Sequence, residues 1–242
     1  MSLPFPPPVK LPQGFTMSRC TPQDVQDMDA FSNSEYTYWW GRVEPMRSWQ
    51  AERIAQRFQD AAVQQFKVVD DANGVIVAWA KWDPPSKMVG LREGFTIYDE
   101  AGQPVSTSSS LHTHSKGAEG TGKEASNLGP PAGSNIALFH GFFDGITRME
   151  EKHQASEKLV LTHLCTRHSH HGRGLGSVLL ASVLELADKE GLSTYLEATR
   201  VGVSLYQGLG FEIVDKLEFD RSETGLDTPA VLQIMVREPR AP

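Results

Sequence analysis

The residues best suited to chemistry lie in LVLTHLCTRHSHHGRGLG, from Leu159 to Gly176. Val160, Leu161 and Leu164 suit a strand covered on both faces. Gly172, Gly174 and Gly176 then alternate just ahead of Ser177-Val178-Leu179-Leu180-Ala181, where the apolar period becomes that of a helix. Glycines at such a junction let backbone N–H groups approach a ligand closely. The helix N-terminus behind them adds the positive end of its dipole. His171 and Arg173 add basic character. The place therefore suits a phosphate or a pyrophosphate.

Two nucleotide folds fit this pattern poorly. A dinucleotide fingerprint requires G-x-G-x-x-G early in a βαβ unit with an acidic residue about 20 positions on. Here the spacing is G-x-G-x-G, late in the chain. A P-loop requires G-x-x-x-x-G-K-[ST]; Gly117 to Lys123 supplies all but the last residue, and Glu124 stands where the magnesium-binding hydroxyl belongs. No apolar strand precedes that segment and no amphipathic helix follows it.

His171-Gly172-Arg173-Gly174-Leu175-Gly176 resembles the acyl-CoA pyrophosphate loop of the GNAT acetyltransferase superfamily, whose pattern is Gln/Arg-x-x-Gly-x-Gly/Ala. The first position departs, carrying His171. Leu196-Glu197-Ala198-Thr199 followed by Leu205-Tyr206-Gln207-Gly208-Leu209-Gly210-Phe211 is similar to the second hallmark of that family, a strand and an LYxxxGF helix. The two motifs stand in the family's order, and the likeness is to a small, fungal-type member. It covers Leu159 to Val214 directly and the earlier chain through its element order. The fold implied is α/β (α+β), with a mixed central sheet flanked by helices in a single domain.

The resemblance also implies roles. Acetyl-CoA would be the co-substrate. Leu164, Cys165 and Thr166 would hold its pantetheine arm, largely by main-chain groups, where the strand at 158–166 bulges away from the one at 193–198. His171, Gly172, Arg173, Gly174, Leu175, Gly176 and Ser177 would surround the pyrophosphate. Tyr206 matches the residue that protonates the departing sulfur; its alternative is a packed tyrosine with a satisfied hydroxyl. The general base stays open between His163, Glu197, Glu150 and a water chain. Alternation along the strand groups His163 with Leu161 and Cys165. Tyr38, Trp39 and Trp40, in an aromatic run from Tyr36, either line the acceptor pocket or form a buried helix-end cluster. The expected reaction is transfer of the acetyl group to a primary amine of a small molecule by direct attack on the thioester. The alternatives are a protein or peptide N-acetyltransferase and a catalytically silent acyl-CoA-binding module.

Composition narrows the partners. The 242 residues suffice for a substantial core. A net charge of −7 with no Lys/Arg stripe argues against a nucleic-acid partner and mildly favours a cationic acceptor. No run of 18 apolar residues predicts a membrane span. The start of the chain lacks the pattern of a secretion signal, and the two cysteines suit a reducing compartment, so a cytoplasmic location is expected. The spacing of His163, His168, His170 and His171 matches no zinc motif, so no metal is expected. Oligomeric state is not legible.

Patterning supplies the frame for these residues. Residues 1–13 hold five of the 15 prolines and predict a loosely tied arm, ahead of a domain over 14–240. Phe15 to Arg19 reads as a strand, Thr21-Pro22 as a helix start and Glu44 to Phe58 as a second helix. Residues 66–70 and 75–82 form a hairpin across Asn73-Gly74. Residues 100–134 predict a mobile polar insertion. Asn135 to His153 has helical spacing, with Gly141 and Gly145 arguing against an unbroken helix. Then follow a strand at 158–166, a helix at 174–190, a strand at 193–198, a short helix at 202–208, and strands near 211–219 and 231–237.

Overall fold

A computed structural model describes residues 2–8, 10–29, 40–41, 43–105 and 128–240. Among the described residues, seven strands form one sheet: β1 (Phe15–Arg19), β2 (Gln64–Asp70), β3 (Val75–Asp83), β4 (Leu159–Thr166), β5 (Thr194–Thr199), β6 (Glu212–Phe219) and β7 (Ala230–Arg237), in the order β1-β2-β3-β4-β5-β7-β6. Every pairing is antiparallel except β4 with β5. Antiparallel neighbours need only turns, and the β2–β3 turn ends on Gly74 at φ 71°, a left-handed conformation that favours glycine. The parallel pair requires a crossover, supplied by the helix Leu175–Lys189.

Among the described residues, five α-helices cover the two faces: α1 (Val25–Asp29), α2 (Val43–Gln56), α3 (Ile136–Lys152), α4 (Leu175–Lys189) and α5 (Val203–Gly208). The apolar stripe of α4 (Leu175, Val178, Leu179, Val183 and Ala187) is buried with Phe66, Ala78, Ala80, Leu161 and Leu196 on one side of the sheet. On the other side, Phe139, Phe142, Phe143 and Ile146 of α3 pack with Tyr195, Leu217, Leu232 and Ile234. Ile54 and Phe58 pack with Ile76 and Trp79 on that same side. The mixed sheet with helices on both faces is the architecture expected.

Local chemistry accounts for the element boundaries. At the start of the first helical stretch, the Asp24 carboxylate accepts from the Thr21 backbone N–H at 2.7 Å. Asn135 Oδ1 accepts from Leu138 N–H at 3.1 Å and caps α3. That helix runs unbroken through Gly141 and Gly145, over the span its helical spacing predicted. The reason for Gly145 is packing: a Cβ there would lie 3.0 Å from the Phe219 ring and 3.3 Å from Leu217, so only glycine lets α3 sit this close to β6.

One expectation needs correction. The proline-rich start is not a loose arm: Leu3, Phe5 and Leu11 pack against the α4-side core, and the Phe5 ring lies 5.2 Å from that of Phe66. Arg19 anchors the same segment. Its guanidinium donates to the carbonyls of Ser2 at 3.0 Å, Leu91 at 3.1 Å and Glu93 at 2.6 Å, and to Gln64 Oε1. Apolar side chains among the prolines, and one buried cation needing acceptors, tie down what composition alone marks as flexible. Within the expected insertion, residues 100–105 close a small bridge between Tyr98 and Pro104. Residues 106–127, including Gly117 to Lys123, lie outside the described residues. Among the described residues no helix is long and apolar enough to cross a membrane.

Candidate active site

The sheet opens where β4 and β5 part. Their ladder has the pairs Leu159↔Thr194, Val160↔Tyr195 and Leu161↔Leu196, after which β4 continues to Thr166 beside β3 while β5 continues to Thr199 beside β7. The parting coincides with a bulge. Lys81 and Trp82 of β3 face His163 and Leu161, so Thr162 is an extra residue in β4. A bulge bends the strand that carries it and swings the rest of β4 away from β5.

The same bulge corrects the face assignment. An inserted residue reverses the alternation, so Leu161 and Leu164 belong with the α4-side cluster, whereas His163 and Cys165 turn to the other side. The His163 imidazole stacks on Trp79 with centroids 5.4 Å apart, and its Nδ1 lies 3.3 Å from Thr162 Oγ1.

At the end of β4 the chain passes through a 3-10 turn at His168–His170 into the glycine corner. Gly172 and Gly174 have φ of 75° and 76°, so both occupy the left-handed region. Gly174 is the N-cap of α4, and the first helical bond runs from Val178 N–H to the Gly174 carbonyl at 3.0 Å. The N–H groups of Leu175, Gly176 and Ser177 therefore have no backbone acceptor among the described residues, as expected of a first helical turn. Gly176 has an ordinary helical backbone and a different task. A Cβ there would lie 3.7 Å from Leu164, Thr166 and Leu205, so α4, β4 and α5 converge on this one point. Arg173 is exposed at the rim. His171 Nε2 lies 2.8 Å from the Thr166 carbonyl, tying the corner to the strand end. Of the three residues expected to hold the pantetheine arm, Thr166 thus already has its carbonyl engaged.

Tyr206 projects from α5 and is 8% exposed. Its ring packs edge-on against Phe211 at 5.8 Å, and a Cβ on Gly202 would lie 2.8 Å from its Cε2. Among the described residues its hydroxyl has no hydrogen-bond partner. Burial, with the Cys165 sulfur nearby, pushes the phenol above its ordinary range, so it stays protonated and able to donate. Burial likewise pushes the Cys165 thiol up to about 12, which makes it a poor nucleophile.

Beyond the parting lies a polar patch that sequence reasoning only touched. Lys81 and Asp83 form an ion pair at 2.7 Å with side chains 1% and 2% exposed. Tyr195 is fully buried, and its hydroxyl interacts with the Glu197 carboxyl. Glu197, two residues on and on the same face of β5, is partly exposed, yet its Oε1 is shut off from solvent. Burial first, and then the negative charge of Glu150 on α3, push the Glu197 carboxyl up to about 8. Glu150 is itself buried at 8% exposure. The signal that could have found this patch was weak in the sequence: one acid in a strand and one in a helix about 50 positions apart.

Of the aromatic residues expected to meet the acceptor, Tyr38 and Trp39 lie outside the described residues. Trp40 is 3% exposed and packs against Phe142 at 4.7 Å and Phe143 at 5.8 Å. The structure thus places Trp40 in the buried cluster, because α3 supplies a row of phenylalanines that the local sequence around Trp40 does not reveal. Among the described residues no three His, Cys, Asp or Glu side chains are grouped to hold a metal.

Comparison with known proteins agrees with this fold. Residues 141–225 match the family model described as "Acetyltransferase (GNAT) domain". No curated protein matches. Among solved structures, the chain is similar to a "histone acetyltransferase HPA2 and related acetyltransferase" from Corynebacterium glutamicum, with a TM-score of 0.54 and 18% identity, covering 95% of this chain and 99% of that one. It is also similar to the ribosomal-protein-S18-alanine N-acetyltransferase of Escherichia coli, with a TM-score of 0.50 and 12% identity over 94% and 96% of the two chains. Ard1 from Thermoplasma volcanium gives a TM-score of 0.50 and 11% identity over 94% and 99%. At such identities these structures speak for the fold alone, and none bears on the fungal-type likeness.

Proposed function

From the premise that this chain has the GNAT fold and carries a GNAT acetyltransferase domain over residues 141–225, we propose that it is an acetyl-CoA-dependent N-acetyltransferase acting on a primary amine of a small molecule. The observation that carries the reading is the glycine corner, where N–H groups of Leu175, Gly176 and Ser177 stand without backbone acceptors beside the opened edge of β4. The residues present fit the coenzyme. Main-chain donors and a helix dipole suit a diphosphate, and the free edge of β4 at Leu164 and Cys165 suits the amides of a pantetheine arm. Gly176 leaves a surface where three elements meet. The bound thioester would supply the activated acetyl carbon.

The chain's own groups would then perform the transfer. His171, Gly172, Arg173 and Gly174 shape the diphosphate site. Tyr206 donates a proton to the departing sulfur, as its retained proton allows. The high pKa of Cys165 favours direct attack by the amine over an acetyl-cysteine route. A small cationic amine is favoured as acceptor by the net charge of −7 and by the carboxyl groups of Glu197 and Glu150 behind the cleft.

The test has two arms. Calorimetric titration with acetyl-CoA should show binding, and thioester cleavage should be stimulated by members of a panel of alkylamines and peptides. Absence of acetyl-CoA binding would remove the coenzyme reading. Stimulation by peptides alone would replace the small amine with a protein acceptor.

A further inference from the structure

Strand β5 and helix α3 are far apart in the sequence, yet the fold sets a carboxyl from each behind the opening of the sheet. The last rung between β4 and β5 is Leu161↔Leu196, which makes Glu197 the first β5 residue past the parting. Its side chain stands on the face away from α4, beside the buried Tyr195 hydroxyl. We propose that Glu197 is the group that takes the proton from the acceptor amine, with Glu150 on α3 as its positioning partner. This inference rests on the acetyl-transfer reading of the same cleft.

Three observations carry it. Glu197 is partly exposed and stands at the parting of the two strands, facing the cleft side away from α4. Tyr195, fully buried, sets its hydroxyl beside that carboxyl in the same wall and interacts with it. Finally, the surrounding charges are arranged to keep the carboxyl able to hold a proton. Glu150 and Asp83 both raise its affinity for one. Lys81 is paired with Asp83, and Asp215 is paired with Lys152 and His153. His163 of β4, Arg53 of α2 and Arg57 in the turn that follows α2 are further charged or titratable groups on this side of the sheet. A carboxyl poised near neutral pH beside a cleft suits proton transfer from an amine.

The proton balance closes. The ammonium gives one proton to the Glu197 carboxylate, and the freed nitrogen lone pair forms the N–C bond to the acetyl carbon. The C–S bond breaks, and its electron pair stays on sulfur, which takes a proton from Tyr206. The second proton lost by the nitrogen restores the phenol, and Glu197 returns its proton to solvent. One ammonium and one thioester yield one amide, one thiol and one proton.

The experiment combines a titration that needs no turnover with one that does. In protein labelled with 13C-glutamate, the signal lost in Glu197→Gln should titrate near pH 8, and Glu150→Gln should move it down by at least one unit. A midpoint near the ordinary 4.5, or no response to Glu150→Gln, overturns the proposal. With acetyl-CoA and a panel of n-butylamine, benzylamine and putrescine, Glu197→Gln should keep acetyl-CoA affinity but lose at least about tenfold in amine-stimulated cleavage, together with the acidic limb of its pH profile. Glu197→Asp should retain part of both. Unchanged cleavage with the limb intact overturns the proposal. Absence of acetyl-CoA binding in the parent protein would instead strike the coenzyme reading, so the two failures are distinguishable.

Discussion

The two sides of the opened sheet are built on opposite principles. The corner before α4 is made of backbone: Gly172 and Gly174 at positive φ, and three N–H groups at a helix start. The patch behind β5 is made of side chains drawn from β3, β5 and α3, several of them buried and ionisable. A backbone site tolerates changes in side-chain identity but not in conformation. A side-chain site behaves the other way, because the groups that matter sit on ordinary strand and helix backbone. His171 stands where the resemblance expects Gln or Arg, and its ring ties the corner to the Thr166 carbonyl.

The sharpest way to break this contrast is at Gly174. Gly174→Asp would force a β-carbon into the left-handed region and set an anion on the helix N-terminus, for an expected loss of about 100-fold in acetyl-CoA affinity by calorimetry. Gly174→Ala should lose more than Gly176→Ala, since Gly176 has helical backbone and a Cβ there meets only ordinary contacts at 3.7 Å. The reverse order would show that packing, not conformation, governs the corner.

Next in size is Tyr206→Phe, which should lower turnover by at least about tenfold while leaving acetyl-CoA affinity unchanged. Equal losses in both would return Tyr206 to a packing role.

A smaller effect concerns the side-chain patch and stability. Glu197 has a folded-state pKa raised from 4.5 to about 8, so its favourable contribution is fully present below the unfolded value and is lost as pH rises through the folded one. Glu197→Gln should therefore melt close to the parent near pH 4 and above it near pH 9, by roughly 2–6 °C. A constant difference across that range would mean the carboxyl is solvated in the folded protein.

The smallest effect is expected of Arg173→Ala. An exposed guanidinium at the rim should contribute about two- to fivefold in acetyl-CoA affinity, and the contribution should shrink with added salt.

What was legible in the sequence was what is local. The glycine corner, the following amphipathic helix and the LYxxxGF segment are contiguous, and their chemistry follows from backbone conformation that the residues themselves impose. Strand and helix boundaries followed within a residue or two, from β4 to β7, because apolar periodicity and caps act over a single element. What only the tertiary structure decided was non-local. The extra residue Thr162, visible only through pairing with β3, reversed the alternation and sent His163 to the opposite face from Leu161. Docking of Leu3, Phe5 and Leu11 overruled a proline-rich composition, and the phenylalanines of α3 drew Trp40 into a buried cluster. The approach of Glu150 to Glu197 belongs to the same class. A carboxyl acquires an unusual proton affinity from burial and from a charge carried by another element, and neither is written in the residues beside it.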